Sequence, residues 1–196
     1  MTNNIIAVAN QKGGVAKTTT AINLGASLAL ANQRVLLIDL DPQGNLTSGV
    51  GLKGRPTPGG TIYEALLDDQ LDPHDIVLAT SVDYLSVIPA DRNLTGAEIE
   101  LVTRPRRELR LRRIVEALRD DFDVIFIDSP PSLGLLTLNA LVAADSCLVP
   151  LNCEYFALEG IAELLSTIDR VRDSLNPRLH LEGVLLTMYD DRTNLG

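Results

Sequence analysis

The densest chemistry in the sequence lies in Gln11-Lys12-Gly13-Gly14-Val15-Ala16-Lys17-Thr18-Thr19, which follows the apolar run Ile5–Ala9 and opens a stretch of helical period. Adjacent glycines let backbone amides converge on phosphate oxygens, and a helix N-terminus adds the positive end of its dipole. At this offset Lys17 reaches the β- and γ-phosphates of a nucleotide, and the Thr18 hydroxyl can ligate Mg²⁺. A plain strand-to-helix turn accounts for the glycines but not for the Lys-Thr-Thr behind them. The usual spacing GX4GK[ST] is not met, because its first glycine position holds Gln11 and its last holds Ala16. What stands instead is Lys-Gly-Gly-X-X-Lys-Thr, with a lysine at each end. At position 16 a methyl group costs little if φ is negative, and is unfavourable if φ is positive or a phosphate sits close.

Three carboxylates belong to the same chemistry. Asp39 and Asp41 end a second apolar run, and in an open α/β sheet ligands bind at the C-terminal ends of strands. Alternation along the strand puts both on one side, where they can share a metal–water network. Asp128 ends the run Val124–Ile127, a position at which a carboxylate holds a magnesium-bound water in phosphate-binding folds of this kind. The plainer reading of a strand-terminal Asp is a turn cap; Lys17 and Thr18 favour the metal. Ser129–Gly134, stiffened by Pro130-Pro131, reads as a second switch segment.

These residues need a scaffold that gathers strand ends. Asn4–Asn10, Arg34–Asp39, Tyr84–Pro89, Asp123–Asp128, Asp145–Pro150 and Leu181–Met188 read as strands. They are nearly continuously apolar, as expected of strands covered by helices on both faces. Lys17–Ala31, Thr61–Leu67, Arg106–Arg119, Leu133–Ala143 and Ala157–Arg172 read as helices. The alternation predicts a doubly wound, mainly parallel α/β sheet. Thr47–Gly60 reads as a mobile surface loop.

The 196 residues suffice for one domain with a real core, at 45% hydrophobic and 22% charged. No run approaches a membrane span, and the apolar stretch at the start is too short for a signal peptide, so a cytoplasmic location is expected. A net charge of −9 excludes a generally basic nucleic-acid binder, and 4% aromatics without Trp argue against base stacking. Cys147 and Cys153 fit no common metal spacing and read as buried small residues. In the arginine-rich Arg104–Arg113, Leu111, Ile114 and Leu118 form a buried stripe, while Arg106, Arg110 and Arg113 form either a solvated face or a DNA contact. Neither His74 nor His180 has a ligand partner in view.

The lysine-flanked loop resembles the deviant P-loop of the ParA/MinD/nitrogenase-iron-protein class. Within it, Asn10-Gln11-Lys12-Gly13-Gly14, Asp39-Leu40-Asp41-Pro42-Gln43-Gly44-Asn45, Asp128-Ser129-Pro130-Pro131-Ser132-Leu133-Gly134 and Asn152-Cys153-Glu154-Tyr155-Phe156-Ala157-Leu158-Glu159-Gly160 resemble ParA/Soj chromosome- and plasmid-partitioning ATPases, in the same order and over nearly the whole chain. The resemblance implies an ATPase with ATP or ADP and Mg²⁺ held by Lys12, Gly13, Gly14, Val15, Ala16, Lys17, Thr18 and Thr19, and the metal near Thr18, Asp41 and Asp128. It implies that Lys12 reaches across an ATP-dependent homodimer to the partner's nucleotide, that Asp41 positions the attacking water, and that Met188 borders the adenine. It implies non-specific double-stranded DNA binding, with Arg192 as a contact, a ParB/Spo0J-like partner protein that stimulates hydrolysis, and a nucleoid-associated location. Family members carry glycine at position 16. They also continue through another helix and further strands with a Pro-Arg-Asn element, so residues 1–196 are expected to form a single P-loop domain lacking that part. A nucleotide-binding interaction module with little or no hydrolysis is the alternative. A membrane switch of the MinD kind would need a C-terminal amphipathic helix, and a nitrogenase-like reductase would need bridging cysteines; neither is in the sequence.

Overall fold

The computed structural model describes residues 4–55, 57–153 and 157–188. Strands β1 (Asn4–Val8), β2 (Val35–Asp39), β3 (Leu78–Ala79), β4 (Leu85–Ile88), β5 (Val124–Asp128), β6 (Ser146–Asn152) and β7 (His180–Thr187) form one seven-stranded sheet in the order β3-β4-β2-β5-β1-β6-β7. Every pairing is parallel except the short β3–β4 ladder. The doubly wound, mainly parallel α/β expectation holds.

Helices α1 (Lys17–Leu30), α2 (Asn45–Gly49), α3 (Ile62–Leu67), α4 (Leu94–Glu100), α5 (Arg110–Leu118), α6 (Leu135–Ala143) and α7 (Ala157–Ser174) cover the sheet. Side chains of a strand point alternately to its two faces. Leu36, Ile38, Ile125 and Ile127 therefore join the larger cluster under α3, α4, α5, α6 and α7, and Val35, Leu37 and Phe126 join the smaller one under α1 and α2. The same parity sends the strand-terminal Asp39 and Asp128 toward the α1 side. Gly25 lets α1 approach closely, since a Cβ there would stand 2.7 Å from Leu37 Cδ2. At the sheet edge, β7 exposes Leu181, Val184, Leu185 and Leu186.

Two sequence expectations need correction. Thr47–Gly60 is not a loop throughout: Thr47 lies inside α2 and is buried. Arg110 and Arg113 do not form a solvated face. The Arg110 side chain is 7% exposed and donates to Asp69 Oδ1 at 2.6 Å and to the Pro105 carbonyl at 3.1 Å. Arg113 donates to the carbonyls of Ala65, Asp68 and Asp69, which are the unmatched acceptors at the end of α3. The polar face of α5 thus caps another helix.

The start of α5 has no side-chain cap of its own. It is served instead by the fully buried Asn139 of α6, whose Oδ1 accepts from the Leu111 amide at 3.1 Å while Nδ2 donates to the carbonyls of Arg107 and Leu135. Asn139→Ala should therefore cost about 2 kcal/mol, the usual loss when a buried donor is orphaned. Urea unfolding of the two proteins measures it, and a difference within ~0.5 kcal/mol would show that this link between α5 and α6 contributes little.

Candidate active site

The phosphate-type loop starts from a fixed point. Asn10 is buried at the end of β1. Its Nδ2 donates to the Pro150 carbonyl of β6 at 2.7 Å, and its Oδ1 accepts the Lys12 amide at 2.9 Å. Val15 is fully buried and anchors the loop's far side, with its carbonyl accepting from Thr187 Oγ1 at 3.2 Å. Between them Gly14 has φ +73, and a Cβ there would meet nothing within 4 Å, which leaves its surroundings open. Ala16, just before α1, has φ 65 and ψ 31. The open question at this position is thereby answered: the alanine occupies left-handed space, which costs a residue with a Cβ about 1 kcal/mol.

Helix α1 begins with no side-chain cap and no acidic residue in its first turn, so its first amides and dipole face the loop with no anion of the helix's own. Lys17 is buried, and its Nζ donates to the Lys12 carbonyl at 3.1 Å. Burial lowers its pKa, opposed by the charges of Asp128 and Asp41. Lys12 Nζ donates to Asn152 Oδ1 at 3.5 Å, so β6 as well as β1 positions this lysine.

Asp39 and Asp128 are register partners at the C-terminal ends of β2 and β5. Thr18 Oγ1 donates to Asp128 Oδ2 at 2.6 Å. The other oxygen, Asp128 Oδ1, is buried and accepts no hydrogen bond. Burial pushes the Asp128 carboxyl up to about 7, with the Thr18 hydrogen bond and Lys17 working against it and Asp39 and Asp41 adding to it. Asp41 is buried, its Oδ1 accepts the Gln43 amide at 2.9 Å, and it lines the cleft.

Both carboxylate oxygens of Asp39 are engaged by donors of the protein. Its Oδ2 accepts from both the amide (2.8 Å) and the hydroxyl (2.7 Å) of Thr47, and its Oδ1 accepts the Asp41 amide at 3.2 Å. Thr47 Oγ1 in turn accepts the Ala90 amide at 3.1 Å. Burial raises the Asp39 carboxyl to about 6 even with these donors present. Asp39 is thus a buried knot tying α2 and the segment after β4 to the site, and Asp41 is the carboxylate left facing the cleft.

That cleft, of about 540 Å³, is lined by Gly13, Gly14, Ala16, Lys17, Thr18, Thr19 and Asp41, joined by Ile22, Gln43, Asn45, Gly49 and Pro131. The sequence named the first seven and placed Pro131 in the second switch segment, while Gln43 and Asn45 stood only among the residues carrying the resemblance. Thr47 and Asn10 were missed as positioning residues, since neither spacing nor type marks a buried threonine or asparagine. Met188 follows β7 with φ 53, is 67% exposed and does not line the cleft. Arg192 and the Glu154-Tyr155-Phe156 part of the fourth block lie outside the described residues. Cys147 is fully buried, its thiol pushed up to about 12, and Cys153 is half-buried.

The donor set fits a nucleotide with a divalent cation. A glycine-opened loop, a buried lysine and a bare helix N-terminus suit phosphates. A buried carboxylate oxygen without a partner, beside a threonine hydroxyl and among three carboxylates, suits a hard cation with oxygen ligands. Ala16→Gly should raise stability by about 1 kcal/mol by relieving the left-handed alanine. Denaturant unfolding reports it, and a loss of stability would mean that the methyl group makes contacts outweighing the strain.

Comparisons with known proteins agree with this geometry. The family described as an AAA domain matches residues 3–181. The chain is 58% identical over 191 residues to a chromosome partitioning protein ParA of Myxococcus xanthus, covering 97% of this chain and 67% of that protein. It is 57% identical over 192 residues to the sporulation initiation inhibitor protein Soj of Bacillus subtilis, covering 98% and 75%. A solved structure described as cobyrinic acid a,c-diamide synthase from Mycobacterium smegmatis, with bound ADP and magnesium, superposes with a TM-score of 0.92 at 47% identity, covering 97% of this chain and 77% of that one. With a P-loop cleft built from the same blocks that carry the resemblance, the chain belongs to the ParA/Soj family of partitioning ATPases.

Proposed function

We propose that residues 1–196 act as one P-loop domain that binds ATP or ADP with Mg²⁺ in the 540 Å³ cleft and uses ATP to switch between monomer and dimer in DNA partitioning. The observation that carries this reading is the buried, partnerless Asp128 Oδ1 beside Thr18 and Lys17. Support comes also from the neighbour described with bound ADP and magnesium.

In this reading the amides of Gly13 to Thr19 and the Lys17 ammonium hold the phosphates. Thr18 and Asp128 would hold the magnesium ion, with Asp41 beside it. The ion supplies charge neutralisation on the β- and γ-phosphates. Asp41, exposed to the cleft and fixed through its backbone by Asp39, orients the attacking water as a general base. Lys12 supplies a cation to the nucleotide of a second copy, where it offsets charge developing on the transferred phosphoryl group. In the isolated chain Asn152 orients that lysine. Hydrolysis stimulated by a ParB-like partner resets the dimer, and a cytoplasmic, nucleoid-associated location follows from non-specific DNA binding. Among the described residues no helix is long and apolar enough to cross a membrane.

DNA contacts on this acidic chain rest on a local patch. Arg110 and Arg113 are committed within the fold, so Arg192 remains the proposed contact and Met188 the proposed neighbour of the adenine. One observation favours a second reading, a nucleotide-dependent interaction module with little turnover. The left-handed Ala16 places a methyl group on the loop that must cradle the phosphates.

ATP turnover with and without duplex DNA and the partner protein distinguishes the two readings, and stimulation by the pair is expected. Lys17→Ala should weaken ATP binding about a hundredfold in calorimetry, and unchanged affinity would refute the phosphate site. Asp41→Ala should keep ATP binding and lose turnover, whereas a variant hydrolysing at the parent rate would show that another group orients the water. Lys12→Ala should bind one ATP per chain yet sediment as a monomer with ATP, and an undiminished dimer would refute the cation supplied in trans.

A further inference from the structure

Away from the P-loop, the end of α3 and the start of α5 enclose a second cavity of about 440 Å³, lined by Asp69, Pro105, Arg106, Leu109, Arg110 and Arg113. Its charge is unbalanced: three guanidinium groups face it with one carboxylate. Arg106, which precedes α5 with φ 53, is exposed and makes no ion pair among the described residues. Asp69 Oδ1 sits at the focus, 2.6 Å from Arg110 Nη1 and 3.5 Å from Arg113 Nε, while its own side chain is 56% exposed. The Nε atoms of Arg110 and Arg113 are buried and donate to nothing. Buried donors without acceptors cost about 1–3 kcal/mol each and are rare in native proteins. A single side-chain carboxylate is thus too small an acceptor for the donors gathered around it.

We propose that this cavity is a binding site for a small oxyanion of the phosphate class, either free phosphate or the terminal phosphate of a small molecule, and that Asp69 is its internal, displaceable stand-in. The chemistry follows from the donor set. A terminal phosphate presents three acceptor oxygens and free phosphate four, where Asp69 presents two, and guanidinium forks bind such groups through paired hydrogen bonds. The concave shape and the 7% exposure of the Arg110 side chain favour a compact ligand over a duplex backbone, whose phosphates reach exposed rather than recessed cations. Arg113 holds the carbonyls at the end of α3 in either state, and Arg110 keeps its bond to the Pro105 carbonyl. Arg106 is the one guanidinium free of that duty, so it adds affinity without supporting the fold. The site makes no use of the P-loop, and this inference stands apart from the nucleotide reading.

The test uses the whole chain carrying Lys17→Ala, which weakens the competing phosphate site at the P-loop, titrated with inorganic phosphate by calorimetry and phosphorus NMR. Saturable binding is expected, tightened about tenfold by Asp69→Asn, which removes the internal competitor but keeps its shape, and weakened about tenfold by Arg106→Gln. The Arg106→Gln protein should unfold like the parent, whereas Asp69→Asn should lose stability without phosphate, because the recessed Arg110 loses its charge partner, and recover it with phosphate. Absence of saturable binding, or identical affinities in the parent, Asp69→Asn and Arg106→Gln proteins, would overturn the site. Duplex DNA binding that depends on Arg106 where phosphate does not bind would also overturn it, in favour of a backbone contact.

Discussion

Three buried carboxylates and one buried lysine share the C-terminal edge of the sheet, and most of the local architecture exists to make that tolerable. Asp39, Asp41 and Asp128 outnumber Lys17, in surroundings that push Asp128 to about 7 and Asp39 to about 6. Removing a charge from water costs several kcal/mol unless hydrogen bonds or an opposite charge replace the lost solvation. The protein answers differently at each position. Asp39 receives three donors and becomes structural; Asp41 is turned to the cleft; Asp128 is left half satisfied by Thr18. The remaining deficit is the electrostatic basis for a site that takes a divalent cation together with an anion.

This division of labour rests on register. Parallel pairing aligns Val8, Asp39 and Asp128 at one level across β1, β2 and β5. The period of two then directs both carboxylates to the face covered by α1, where Thr18 emerges from the loop. A slip of one residue in β5 would turn Asp128 toward the opposite core. Ser129 reinforces the register, its hydroxyl donating to the Val8 carbonyl at 2.9 Å. The segment after β5, which leads through Pro130-Pro131 to α6, is therefore attached at its root to the strand that carries the phosphate loop.

The sheet was legible because its central strands are buried on both faces and read as unbroken apolar runs. The phosphate loop was legible because few other arrangements need Gly-Gly followed by Lys-Thr. Less could be read where a residue's partner lies far along the chain. Nothing near Asp39 announces Thr47, which sits in a five-residue helix too short to show periodicity. Arg110 and Arg113 follow the amphipathic pattern of a solvated face, yet the Asp69 carboxylate that Arg110 meets and the carbonyls that Arg113 caps lie more than forty positions earlier. Likewise β3, two residues long and antiparallel, and α4 carry too little pattern to separate them from loops. Position 16 required a backbone angle that no side-chain type reveals.

The central claim is that the unsatisfied Asp128 oxygen marks the place of a magnesium ion acting together with ATP. Its most direct test is calorimetric titration of ATP into the parent and into Asp128→Asn, each with Mg²⁺ and with a chelator. Magnesium should tighten ATP binding to the parent about tenfold or more and leave Asp128→Asn nearly unaffected, while the two proteins bind metal-free ATP alike. An equal gain from magnesium in both proteins would contradict it.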